Sequence, residues 1–131
     1  MRIKILNDLH LGVQRSAGTT LASRAALHKF QIQELVHLLD SQDDCEVVLV
    51  NGDLFDTFNV PTNVLRDTYF AFREFLSTHP NTKLYLSEGN HDLSKDNQKV
   101  SSLRFLHELL SADFDVTLIS GASQEITERV L

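Results

Sequence analysis

The chain of 131 residues has no tryptophan, two prolines, five glycines and a single cysteine, Cys45. One cysteine permits no internal disulfide, so a disulfide-built scaffold is excluded and nothing marks an oxidising compartment. Basic residues are also scarce, with 12 Lys and Arg against 18 Asp and Glu and a net charge of −6. Such a balance lacks the broad basic face of an autonomous DNA binder. No run approaches the roughly 20 apolar residues of a membrane span, and Met1–Leu6 turns polar too soon for a signal peptide. What is present is a 42% hydrophobic composition, enough for a core and against collagen-like or disordered classes. The expectation is one globular domain of the cytoplasm.

Four β-rich runs punctuate the chain: 2–7, 46–51, 83–87 and 115–120. Between them apolar residues recur at helical spacing. His28, Ile32, Leu35, Val36 and Leu39 share one face. Leu65, Thr68, Tyr69, Phe72, Phe75 and Leu76 share a second, after Pro61, and Leu103, Leu106, His107 and Leu110 a third. Alternation of this kind predicts an α/β fold of mostly parallel strands. Val47–Val50 and Leu84–Leu86 are nearly continuous apolar, as strands covered on both faces should be.

In open α/β sheets a ligand sits outside the carboxyl ends of the strands. The first three runs are followed there by Asn7-Asp8-Leu9-His10, by Asn51-Gly52-Asp53-Leu54-Phe55-Asp56 and by Glu88-Gly89-Asn90-His91-Asp92. Carboxylates crowded at one rim repel one another unless cations neutralise them. Asp8 and His10 can reach one ion if the strand ends and twists there. Asp53, from the next strand, is placed to bridge two. Asn90 offers a neutral oxygen, and a mixed N and O set without Cys suits a hard or borderline cation rather than a structural zinc.

Asp8-Leu-His10, Gly52-Asp53-Leu-Phe-Asp56 and Gly89-Asn90-His91-Asp92 together resemble the first three motifs of the calcineurin-like metallophosphoesterases. The wording is similar to the SbcD-type branch, the nuclease subunits of double-strand-break repair and recombination, which includes phage enzymes. The resemblance covers residues 1 to about 120. It implies a layered sheet forming half of an αββα sandwich, with 1–131 as the N-terminal part of a nuclease domain whose C-terminal part is absent. It implies two divalent ions, Mn²⁺ before Mg²⁺, Zn²⁺ or Fe²⁺. Asp8 and His10 would hold the first ion, Asp53 would bridge, and Asn90 would hold the second. His91 would face the substrate phosphate, Asp92 would orient His91, and Asp56 would support the ligands or the fold. The implied partners are DNA, an SbcC-like ATPase subunit and a second copy in the full-length protein. The implied location is the cytoplasm, of the host if phage-encoded.

The family closes its site with a further histidine and a Gly-His-x-His motif. After Asp92 this chain has one histidine, His107, on the apolar face of a predicted helix, so His107 takes no metal role. The second ion is therefore expected to be held weakly by this chain alone.

Singly, each motif has a plain structural reading: a strand-end pair, a turn with Asp56 capping a helix, and ordinary turn chemistry. His28 and His37 read as helix-face histidines, His79 as a turn residue, and Cys45 as a half-buried spectator. Arg15, Lys95 and Lys99 are scattered loop cations, and Phe70 is an interface candidate. Three rival functions stand beside the nuclease: a small-molecule phosphoesterase, an α/β signalling receiver and a partner-binding module without catalysis. A receiver wants an acidic pair after its first strand, where Asp8 is followed by Leu9-His10.

Overall fold

Apolar runs bounded by turn residues become strands, and the amphipathic stretches between them become the crossovers. The computed structural model describes residues 2–12, 21–40, 45–88 and 100–119. In chain order they form β1 (Ile3–Asn7), α1 (Leu21–Leu39), β2 (Val47–Asn51), α2 (Thr62–Thr78), β3 (Lys83–Ser87), α3 (Ser102–Ser111) and β4 (Val116–Ile119). The strands make one sheet, ordered β1-β2-β3-β4, and every neighbouring pair is parallel. The expected α/β alternation holds, with strand bounds within a residue of those read from the sequence.

Strand order follows chain order, so right-handed crossovers carry all three helices to one side of the sheet. The register lines up Leu6, Val50, Leu86 and Leu118 in one row, and Val48, Leu84 and Val116 in the next. These residues pack with Leu35, Leu39, Phe72, Phe75, Leu76, Leu103, Leu106 and Leu110 of the helices in a single core. Burying a leucine or phenylalanine side chain contributes about 1.5–3 kcal/mol. Lys4 completes the second row at the sheet edge. Its Nζ donates to the carbonyls of Leu38 and Leu39, each at 3.0 Å. An ammonium there satisfies carbonyls that end α1 without a helical partner and complements the helix dipole. On the opposite face of the edge strand, Ile3 and Ile5 are 50% and 54% exposed.

The helix termini have different origins. Pro61 precedes α2 with its carbonyl accepting from Val64 and Leu65. Ser101 caps α3, its Oγ accepting from the Arg104 N–H at 3.1 Å. One sequence expectation and one of the plain alternative readings do not hold. Val36 is 39% exposed rather than core, because it lines the groove between α1 and α2. Asp56 caps no helix, since α2 begins beyond Pro61. Cys45 is half-buried as expected. Among the described residues no helix is long and apolar enough to cross a membrane.

Candidate metal centre

β1 and β2 end side by side. Asn7 and Asn51 are register partners, and Asn51 Nδ2 donates to Asn7 Oδ1 at 2.9 Å. Parallel pairing resumes between Leu11 and Phe55. Between the two paired positions each chain makes a turn, over 8–10 on one side and 52–54 on the other. The turns are zipped together: His10 N–H donates to Asp53 O at 2.9 Å, Leu11 N–H to Leu54 O at 2.7 Å, and Asp56 N–H to Leu11 O at 2.9 Å. Leu11, Leu54 and Phe55 point inward and are buried, which anchors both turns to the core.

The backbone of these turns is unusual. Asp8, His10 and Asp53 take left-handed φ values of 52°, 49° and 49°, and they are the non-glycine residues with positive φ among those described. Gly52 and Gly12 add φ of 80° and 89°. A non-glycine residue held there costs of order 1 kcal/mol or more, and such residues cluster at functional sites. The conformation has a chemical result. Asp8, His10 and Asp53 each offer a ligand atom, and these atoms lie within 4.8 Å of one another. Among the described residues no other group of three His, Cys, Asp or Glu side chains converges in this way. Two carboxylates and an imidazole, partly open to solvent, fit a divalent cation of hard or borderline character.

The surroundings hold these side chains in place. Nδ1 of His10 lies 3.3 Å from Oδ1 of Asp56. Gln31 of α1, to which the sequence assigned no role, accepts from Gly12 N–H at 3.2 Å through Oε1 and reaches His10 O at 3.5 Å through Nε2. No sequence signal marks Gln31, one polar residue among several on its helix. At the third strand end, Glu88 N–H donates to Ile119 O at 3.0 Å. Its carboxylate receives Arg104 Nε at 3.2 Å and Nη2 at 2.9 Å, a two-bond pair. Gly89, Asn90, His91 and Asp92 lie outside the described residues, as do Arg15, Lys95 and Lys99.

His107, His79 and His28 have structural partners. His107 Nε2 donates to Val116 O at 3.0 Å, joining α3 to β4. His79 stacks on Phe75 with ring centroids 4.4 Å apart. His28 pairs with Asp67 across α1 and α2, Nε2 to Oδ2 at 2.7 Å, and Arg66 Nε approaches the other oxygen at 3.0 Å. Burial pushes the Asp67 carboxyl up, but hydrogen bonds from His28 and Arg66 and their charges outweigh it. The group ends below its ordinary 3.8.

A family model, calcineurin-like phosphoesterase, matches residues 1–125. The chain is also similar to the SbcD component of the SbcCD nuclease of Rhodobacter capsulatus, at 30% identity over 92 residues, which is 70% of this chain and 22% of that protein. The chain thus spans about a fifth of the length of the curated relative it matches. A match over nearly all its residues, a parallel α/β sheet and a cluster at the first two strand ends that could hold a cation agree: the chain belongs to the calcineurin-like phosphoesterase family.

Proposed function

We propose that this chain carries the metal-binding part of a phosphodiesterase centre that acts on DNA, as a nuclease subunit of the SbcD kind. The observation that supports it most is the convergence of Asp8, His10 and Asp53, each in a left-handed conformation, within 4.8 Å. On this reading Asp8, His10 and Asp53 would hold one divalent ion, and Asp53 and Asn90 would hold a second. Asp56 fixes the His10 ring through Nδ1 and so presents Nε2 outward. Mn²⁺ suits the oxygen-rich donor set. Bound in this cluster, divalent ions supply the Lewis acidity that neutralises a phosphodiester and activates water. His91 stands for the proton to the leaving oxygen, with Asp92 orienting its ring. The crossovers also aim the N-termini of α2 and α3 at this rim, where their dipoles favour an anion.

DNA, an SbcC-like ATPase and a second copy are partners of the whole nuclease on this reading, and the cytoplasm is its place. The test is thermal unfolding with and without Mn²⁺, together with hydrolysis of linear DNA and of bis(p-nitrophenyl) phosphate. Mn²⁺ is expected to raise the Tm of the wild type and not of Asp53→Ala. Hydrolysis of DNA by the chain alone is expected to be weak, because Asp53 and Asn90 are the only ligands assigned to the second ion. A Tm indifferent to Mn²⁺, or an equal rise in Asp53→Ala, would overturn the metal assignment. Turnover of the small ester with none of DNA would move the substrate class to small phosphoesters.

A further inference from the structure

We infer that Gln31 is a positioning residue, which sets the affinity of the Asp8–His10–Asp53 cluster for a divalent cation by fixing the turn after β1; this rests on the metal reading above. The turn from Asp8 to Gly12 contains three left-handed residues. A free chain does not dwell in that sequence of conformations, so neighbouring groups must impose it.

On one side the restraint is steric. A Cβ on Gly12 would stand 3.0 Å from Val60 Cγ1. Val60 is itself held, its N–H donating to Ser102 Oγ at 2.9 Å while Ser102 N–H donates to Phe58 O at 2.9 Å. The turn therefore packs close to the loop before α2 and leaves no room there for a side chain at residue 12. On the α1 side the restraint is polar, and Gln31 supplies it. Its amide brackets buried Leu11, accepting from Gly12 N–H at 3.2 Å and directing Nε2 to His10 O at 3.5 Å. The carbonyl of His10 precedes the Leu11 peptide, so its direction and the position of the imidazole are fixed together.

The test measures three quantities on Gln31→Leu, Gln31→Glu, Asp53→Ala and the wild type: Mn²⁺ affinity by calorimetry, the urea midpoint without metal, and hydrogen exchange of the Gly12 amide. Gln31→Leu keeps the size and removes both polar contacts. It is expected to weaken Mn²⁺ binding by about tenfold or more and to speed exchange of the Gly12 amide. Gln31→Glu keeps the acceptor for that N–H but not the donor to His10 O, and is expected to retain more of the Gly12 protection and of the Mn²⁺ affinity than Gln31→Leu. A merely structural role would lower the urea midpoint of Gln31→Leu and leave the affinity of the folded protein unchanged, which would overturn the inference. So would wild-type exchange at Gly12 in Gln31→Leu. If the wild type takes up no Mn²⁺, the metal reading and this inference fall together. If the wild type binds, Asp53→Ala does not, and Gln31→Leu binds like the wild type, only the role of Gln31 fails.

Discussion

His10 and Asp56 face one another across the seam between the β1 and β2 turns, Nδ1 to Oδ1 at 3.3 Å. Asp56 is delivered there by its own backbone, whose N–H donates to Leu11 O at 2.9 Å. A carboxylate on one ring nitrogen selects the tautomer, turns the ring and makes the other nitrogen a better donor to a cation. Asp56→Asn keeps the shape of the side chain but loses the charge. It is expected to weaken Mn²⁺ binding by about 10- to 100-fold while far-UV circular dichroism stays that of the wild type. Calorimetric titration checks this, and unaltered affinity would make Asp56 purely structural.

The left-handed backbone at Asp53, φ 49°, separates the side chain from the main chain in a direct experiment. Asp53→Ala and Asp53→Gly both remove the carboxylate, so neither is expected to show a Tm rise with Mn²⁺. Glycine accepts a positive φ without a Cβ clash, whereas alanine does not. Without metal, the glycine variant is expected to exceed the alanine variant by about 1 kcal/mol in urea unfolding. Equal stabilities would mean that the turn at Asp53 relaxes when the carboxylate is gone.

Lys4 bonds the last carbonyls of α1 from the edge of the sheet, with two contacts at 3.0 Å. Lys4→Met retains the apolar stem and removes the donor. The expected loss is about 1–2 kcal/mol, the range for hydrogen bonds to a charged group reduced by partial exposure. Urea unfolding measures it, and Mn²⁺ affinity should be unchanged because α1 ends at the opposite pole from the metal turns.

Asp67 gives a pH dependence with a definite sign. Its folded-state carboxyl lies below the ordinary 3.8, so the unfolded chain binds the proton more readily. The stabilisation from its His28 and Arg66 bonds is present above the ordinary carboxylate value and disappears as pH falls through the lowered one. Wild type is therefore expected to exceed Asp67→Asn in Tm at pH 5, with the gap closing on acidification below 3.8. A gap independent of pH would assign the difference to packing.

Much of this architecture is legible in the chain. Val47–Val50 and Leu84–Leu86 read as buried strands because apolar residues occupy both of their faces, and Val47 and Tyr85 are buried on one face as Val48, Val50, Leu84 and Leu86 are on the other. The polar clusters after Leu6 and Val50 read as a rim because parallel strands with short turns deliver them to the same end. The motifs also identify Asp8, His10 and Asp53 as neighbours, and the structure brings their ligand atoms together. The positive φ of all three was not legible, since neither Asp nor His demands it and only the paired turns impose it. Gln31 and Lys4 were invisible for a related reason. Each is a polar residue on the inward side of its element, and its partner is a backbone group that the fold alone brings near. Val36 misled because helical spacing gives the direction of a face but not its width.

The two turns share a property beyond their ligands. Asn7 pairs with Asn51 before them and Leu11 with Phe55 after them, so each strand spends the same number of residues between one pairing and the next. The cluster thus occupies an eyelet between two lengths of the same parallel seam. Substitution can weaken such an eyelet while leaving it closed. Adding or deleting one residue in either turn is expected to open it, because the seam beyond would slip by one position and send Leu11 or Phe55 to the wrong side. Length, rather than identity, is the coordinate along which this site has no tolerance.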